Sequence, residues 1–345
     1  MVRTVSVRQV AQLPLYQQCP MGRPVRHQEA SKKQGDRLSN DRYRRFISNC
    51  NNNKIGLLGE LGWEQSNETG AEPRRASGTG PSMLRVDNIH LAFGGVKALS
   101  GVSVHAERGR ITSVIGPNGA GKTSLFNVIS GFYKSQQGTV TLDGQSITRL
   151  RPSERASCGM SRTFQNIALF HGMSVLDNIK LGAHINLKSG VFSAGFRLAR
   201  TRNEERELSA AIQRDVIGML ELDAVQHHYV EDLPYGVQKR VELARALVMR
   251  PKILLLDEPV AGMNTEEKRE MSRFVLDVRK NWNTTVLLIE HDMGMVMAIS
   301  DHIVVLSFGK PIAAGTPDQV RANPDVIKAY LGTGDDPVAI AMTAE

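Results

Sequence analysis

Three observations predict an α/β fold with a parallel sheet. From Met83 onward, short apolar runs alternate with segments of helical periodicity. Ile111–Ile115 and residues 253–256 are apolar and of strand length, as befits strands buried on both faces. The first run feeds a glycine-rich loop that opens a helix, and the second ends in two carboxylates.

The elements follow in order. Residues 84–89 and 103–105 are strand-like, and 111–115 ends at Gly116. The next helix carries Leu125, Phe126, Val128 and Ile129 on one side and stops at Gly131. Residues 139–142 with Asp143-Gly144 read as a strand and turn. Residues 151–250 are mostly helical in pattern, and the Arg- and Glu-rich stretch 197–214 suits an exposed helix or loop. After the strand 253–258, Asn264 and Glu267 cap a helix whose Met271, Phe274, Val275 and Val278 share one face. Residues 286–289 and 303–306 are further core strands. Thr316-Pro317 opens a small helix, and Asn323 and Gly332 bracket the last one. There is no internal repeat and no second nucleotide motif.

Composition narrows the class. The 345 residues are 41% hydrophobic and 23% charged with mean hydropathy −0.25, as in a water-soluble globular protein. The 5% aromatic share argues against a carbohydrate- or base-stacking surface. No run approaches the roughly 18 apolar residues of a membrane span, so any work at a membrane is expected to be peripheral. Cys19, Cys50 and Cys158 are scattered without metal spacing, which fits a reduced cytosolic setting. Residues 1–82 hold net charge +6 of the total +8. The basic balance therefore belongs to that segment and is poor support for nucleic-acid binding by the folded part. Residues 1–82 lack a sustained period, and the first 28 contain Arg3, Arg8, Arg23 and Arg26 without an acid. That composition hints at an organelle transit peptide, but a disordered extension or a true start at Met83 is the stronger expectation. Residues 334–345 are expected to be a tail.

Gly116-Pro117-Asn118-Gly119-Ala120-Gly121-Lys122-Thr123 fits a phosphate-binding loop in its required setting, after a strand and before a helix. Its glycines let backbone N–H groups curl around phosphate oxygens, and the helix N-terminus adds positive potential. Lys122 is expected to reach the β- and γ-phosphates of ATP, Thr123 to hold Mg²⁺ through its hydroxyl, and Ser124 to belong to the same site. Asp257 is expected to hold Mg²⁺ directly or through water. Glu258 is expected to accept a proton from the attacking water, because phosphoryl transfer to water needs positioning and a base. His291 follows the strand 286–290 at its presumed C-terminal end, where ligands of such sheets bind, and is expected to contact the γ-phosphate. Gln165, in Arg162-Thr163-Phe164-Gln165-Asn166, could bond a metal-bound or attacking water, although alone it is a weak signal.

These elements in this order resemble the ATP-binding subunits of ABC transporters over residues 83–333. The resemblance implies a phosphate-loop ATPase core with a parallel sheet, an antiparallel β subdomain and a helical subdomain at about 151–250. The signature segment runs from Leu233-Pro234-Tyr235-Gly236-Val237 to Glu242. Against the family's Leu-Ser-Gly-Gly-Gln, only Leu233 and Gly236 match. Pro234 replaces the serine that binds the γ-phosphate across a dimer, and proline offers neither hydroxyl nor N–H. Gly236 and the helix expected at 238–249 can still direct backbone dipoles at a phosphate. The stretches RTFQNIALF, LPYG followed by QKRVELARAL, LLLDEPVAGMN, LLIEHDMGMVM and VIKAYLG look like the high-affinity leucine/isoleucine/valine importer branch. That branch tolerates Pro-Tyr in the signature. Phe93 occupies the aromatic position that stacks on adenine, with a core phenylalanine as the other reading. Asn264 stands where the family often has Asp.

The resemblance implies an ATPase powering import of branched-chain amino acids at the cytoplasmic face of a bacterial inner membrane. It further implies a second ATPase subunit, transmembrane permease subunits contacted by the helical segment after Gln165, a periplasmic solute-binding protein acting indirectly, and no nucleic acid. A urea or other polar-solute importer is the nearest alternative, because an ATPase subunit does not touch the solute. A non-transport ATPase of the same family acting on nucleic acid usually has two ATPase units or a long coiled-coil insertion, neither visible here. A GTPase or small kinase lacks support, since no base-reading Asn-Lys-x-Asp follows the loop.

Overall fold

The computed structural model describes residues 82–183, 209, 210 and 212–331. Two sheets form. One is antiparallel, built from β1 (Ser82–Phe93), β2 (Val96–Glu107), β4 (Gln137–Leu142) and β5 (Gln145–Ser146) in the order β2-β1-β4-β5. The other runs β10-β9-β3-β8-β7-β6, from β3 (Ile111–Ile115), β6 (Met160–Arg162), β7 (Ile253–Asp257), β8 (Thr285–Ile289), β9 (His302–Ser307) and β10 (Lys310–Gly315). All its pairings are parallel except that of β10 with β9.

β3, β7 and β8 are buried along their whole length. Alternating side chains point to opposite faces, so each strand feeds two cores. Ile253 and Leu255 of β7, with Leu287 and Ile289 of β8, pack with Phe126, Ile129 and the inner face of the antiparallel sheet. Leu254, Leu256, Val286 and Leu288 pack on the other side with Val241, Leu247, Phe274 and Val278. This placement leaves the C-terminal ends of β3, β7 and β8 side by side, the usual ligand edge of an open α/β sheet.

The helices are α1 (Lys122–Ser130), α2 (Pro152–Ser157), α3 (Val175–Gly182), α4 (Tyr235–Leu247), α5 (Thr265–Trp282), α6 (Met293–Ile299), α7 (Pro317–Arg321) and α8 (Pro324–Leu331). The expected cap of α5 is present: Asn264 Oδ1 accepts from Glu267 N at 3.0 Å, and Glu267 Oε2 accepts from Asn264 N at 2.9 Å. Thr316 caps α7 in the same reciprocal way with Gln319. No described helix is long and apolar enough to cross a membrane.

Three expectations change. The strands expected at 84–89 and 103–105 are parts of two twelve-residue strands, because their solvent-side residues are polar and hide the hairpin from a hydropathy reading. The region 151–250 is not helical throughout: β6 joins the edge of the parallel sheet beside β7, and residues 213–232 form short π and 3-10 turns. The signature helix begins at Tyr235 rather than Gln238, since Pro234, at φ −55°, serves as its N-cap. The N-terminal segment up to residue 81, most of 197–214, Gly332 and the tail from 334 lie outside the described residues.

Candidate nucleotide site

The loop 116–121 is shaped by close approaches that only glycine permits. Gly116 has φ +148°, and a Cβ there would lie 2.1 Å from the Leu306 carbonyl oxygen of β9. Gly121, at φ +97°, is the N-cap of α1, and its Cβ would lie 2.7 Å from the Ala98 carbonyl. The loop thus rests directly on backbone of both sheets. No side chain caps α1, and its first turn contains no acid, so its positive end is available to an anion. Lys122 is buried, and its Nζ donates to the carbonyls of Gly116 at 2.6 Å and Pro117 at 3.1 Å. Burial lowers its pKa, and Glu258 and Asp257 oppose that fall. Asn118, Gly119 and Thr123 are exposed, Pro117 and Ser124 half-buried, and Ala120 buried.

β7 delivers Asp257 as its last residue, 2% exposed. Burial raises the Asp257 pKa, and the Arg162 guanidinium lowers it in part. Arg162 donates to Asp257 Oδ2 at 2.7 Å, and to Asn127 Oδ1 and Ser130 Oγ at 2.8 and 3.0 Å. The rings of Phe126, Phe132 and Phe164 surround it at 5.3–5.9 Å. Asp257 Oδ1 is buried without a hydrogen-bond partner.

Glu258 takes the left-handed conformation, φ +50°, unusual for a side chain of its size. The turn swings its carboxylate toward two other predicted residues. Gln165 Nε2 donates to Glu258 Oε2 at 2.8 Å, and His291 Nδ1 lies 4.0 Å from the same oxygen. The structure therefore joins Gln165 to Glu258, while Asp257 takes Arg162 instead. His291 is 60% exposed and leaves β8 beside Glu290, which is fully buried. Glu290 Oε1 accepts from Val260 N at 2.9 Å, and Oε2 accepts from His291 N and Asp292 N at 3.0 and 3.3 Å. Burial raises its pKa against these bonds.

Phe93 ends β1 with 47% exposure, which removes the core reading. Tyr133 meets it edge-on at 5.1 Å between ring centres. Gly236 is buried in the first turn of α4, where a Cβ would lie 2.4 Å from Glu267 Oε1. Tyr235 in turn faces Gly262. The signature end of α4 is thus seated on the loop that follows Glu258.

Sequence reasoning missed Arg162, Glu290, Tyr133 and the buried pair Lys239 and Glu242. Arg162 and Glu290 each adjoin a motif already singled out. Only burial distinguishes them from solvated charges.

Among the described residues no group of three or more His, Cys, Asp or Glu gathers as a metal cage. Asp257 Oδ1 is a buried oxygen without a hydrogen-bond partner, and the exposed Thr123 hydroxyl is the other oxygen expected to hold the ion. Mg²⁺ suits such a set, since it keeps several waters and shares substrate phosphate oxygens.

A family model described as ABC transporter matches residues 99–261, and one described as branched-chain amino acid ATP-binding cassette transporter matches 310–336. The chain is 43% identical over 252 residues to the high-affinity branched-chain amino acid transport ATP-binding proteins LivG of Salmonella typhimurium and of Escherichia coli, and BraF of Pseudomonas aeruginosa. Each alignment covers 72% of this chain and 98% of the relative. A nucleotide-free ATP-binding cassette from an ABC transporter superposes with a TM-score of 0.64 at 34% identity, over 73% of this chain and 100% of that one. The ADP conformation of an ABC transporter cassette gives the same score and identity, over 73% and 99%. With a glycine-rich loop before a helix, Asp257 and Glu258 at the sheet edge and these relatives, the chain is an ATPase of the ABC transporter family and belongs to its branched-chain amino acid transport ATP-binding proteins.

Proposed function

We propose that this chain binds ATP at residues 116–124 with Phe93 against the adenine, and that its hydrolysis drives import of branched-chain amino acids through transmembrane permease subunits. The observation that carries the hydrolytic reading is the convergence of Gln165 and His291 on one oxygen of Glu258. Lys122 and the open end of α1 neutralise the phosphates. Glu258 takes the proton of the attacking water, Gln165 orients that water or the carboxylate, and His291 contacts the γ-phosphate. ATP and water yield ADP, phosphate and a proton. Mg²⁺, held by Thr123 and Asp257 with Gln165 as a further contact through water, would offset charge on the phosphate oxygens. A second ATPase subunit presents Gly236 and the end of α4 to the same nucleotide, and closure of the pair follows nucleotide state.

A cavity of about 450 Å³ supports a docked membrane partner. Phe132, Phe164, Phe170, Leu181 and Met249 line it, beside the loop that carries Gln165. The solute rests on the 43% identity to proteins named for branched-chain amino acid transport. The expected setting is the cytoplasmic face of a bacterial inner membrane, with a periplasmic solute-binding protein acting through the permeases and no nucleic-acid partner.

Glu258→Gln should retain ATP binding and lower turnover by about 10²–10⁴-fold, the usual contribution of a general base. Unchanged turnover of the purified chain would remove the base assignment. In cells, the same variant should abolish leucine uptake; normal leucine uptake with lost urea uptake would reassign the solute.

A further inference from the structure

Lys239 and Glu242 lie three residues apart on α4, and both are buried, 3% and 2% exposed. Their charged groups are 3.5 Å apart. Burying two charges is costly unless both are bonded. Here the further bonds go to one short stretch of another segment. Lys239 Nζ donates to the Gln165 carbonyl at 3.0 Å, and Glu242 Oε1 accepts from Phe164 N at 3.1 Å. The Gln165 side chain then donates to Glu258 Oε2 at 2.8 Å. Lys239 Nζ also sits 6.0 Å from the ring centre of Tyr235, at the signature end of the same helix.

We propose that Lys239 and Glu242 are positioning residues that tie the backbone of Phe164 and Gln165 to the signature helix. The Gln165 carboxamide reaches Glu258 only while α4 is seated. A displacement at the Pro234–Gly236 end is thereby passed to Glu258 without passing through the phosphate loop. This rests on the reading of Gln165 and Glu258 as hydrolytic residues.

The test is steady-state ATP hydrolysis by the purified full chain carrying Lys239→Met, Lys239→Arg, Gln165→Ala, and Lys239→Met with Gln165→Ala. Lys239→Met should lower kcat by on the order of tenfold, with KM for ATP changed less than about twofold. Lys239→Arg, which keeps the charge and a donor, should restore most of the loss. Lys239→Met should lower kcat no further in the Gln165→Ala background, because the two act in series. A multiplicative loss in the double variant, or a rise in KM matching the fall in kcat, would overturn the linkage. Full activity of Gln165→Ala would instead overturn the reading of Gln165 itself, and the linkage with it. If Lys239→Met fails to fold because Glu242 is left unpaired, Lys239→Met with Glu242→Met removes both charges and carries the same comparison.

Discussion

Among the described helices, the N-terminal ends of α1 and α4 differ from the rest and from each other. Side chains cap α3, α5, α6 and α7, through Ser174, Asn264, Asp292 and Thr316. No side chain caps α1 or α4, and neither has an acid in its first turn. The end of α1 is surrounded by a complete set of charges: buried Lys122, Asp257 with Arg162, and Glu258. The end of α4 has none of these around Pro234 and Gly236, and packs instead on Gly262 and Glu267. In the proposed function the first end binds and transforms a nucleotide, and the second offers backbone dipoles to a nucleotide held by another subunit.

The contrast can be broken most forcefully at Arg162. Arg162→Met would leave Asp257 as an uncompensated buried carboxylate, at a cost of about 3–5 kcal/mol in denaturant unfolding. Arg162 is the group that holds the Asp257 pKa down against burial, so its loss raises that pKa further. A carboxylate whose folded pKa exceeds its unfolded value binds more protons when folded. The stability deficit against the unaltered chain should therefore grow as pH rises through the folded Asp257 pKa, which lies above 3.8, in denaturant unfolding without nucleotide or metal. A deficit that does not change with pH would show that Asp257 does not depend on Arg162.

Lys122→Ala should come next. Losing charge-assisted bonds to phosphate costs about 1.5–3 kcal/mol, roughly 10- to 150-fold in the Kd for ATP measured by titration of labelled nucleotide. The smallest effect is expected at the other helix end. Gly236→Ala would push Glu267 away and weaken its bond to Asn264, a loss of about 0.5–1.5 kcal/mol in a melting experiment, with ATP binding by the single chain unchanged. If Gly236→Ala weakened binding as much as Lys122→Ala, the two ends would not be different in kind.

What could be read in the sequence follows the same division. The strands β7 and β8 stood out because they are apolar on both faces, β3 because its run ends at the glycine-rich loop, and that loop because its glycines have a fixed spacing before a lysine. Glu258 and His291 followed from their places at strand ends. Arg162, Lys239, Glu242 and Glu290 did not, because a charged residue in a sequence carries no mark of burial. Lys239 and Glu242, three apart on a helix, have the spacing of an ordinary solvated pair, and only the packed loop of Phe164 and Gln165 makes them otherwise. The long hairpin of β1 and β2 was shortened for the complementary reason: polar residues on its outer face interrupt the apolar signal.

Glu290 bears on how the site is held together. Its single carboxylate fastens the turn after β7 at Val260 and the turn after β8 at His291 and Asp292. The turns that carry Glu258 and His291 are therefore joined through one buried carboxylate. Gln165 arrives on a separate arm, steered by α4. Of the three groups proposed to surround the reacting water, two sit on turns joined by one buried carboxylate, and the third is placed by a different helix.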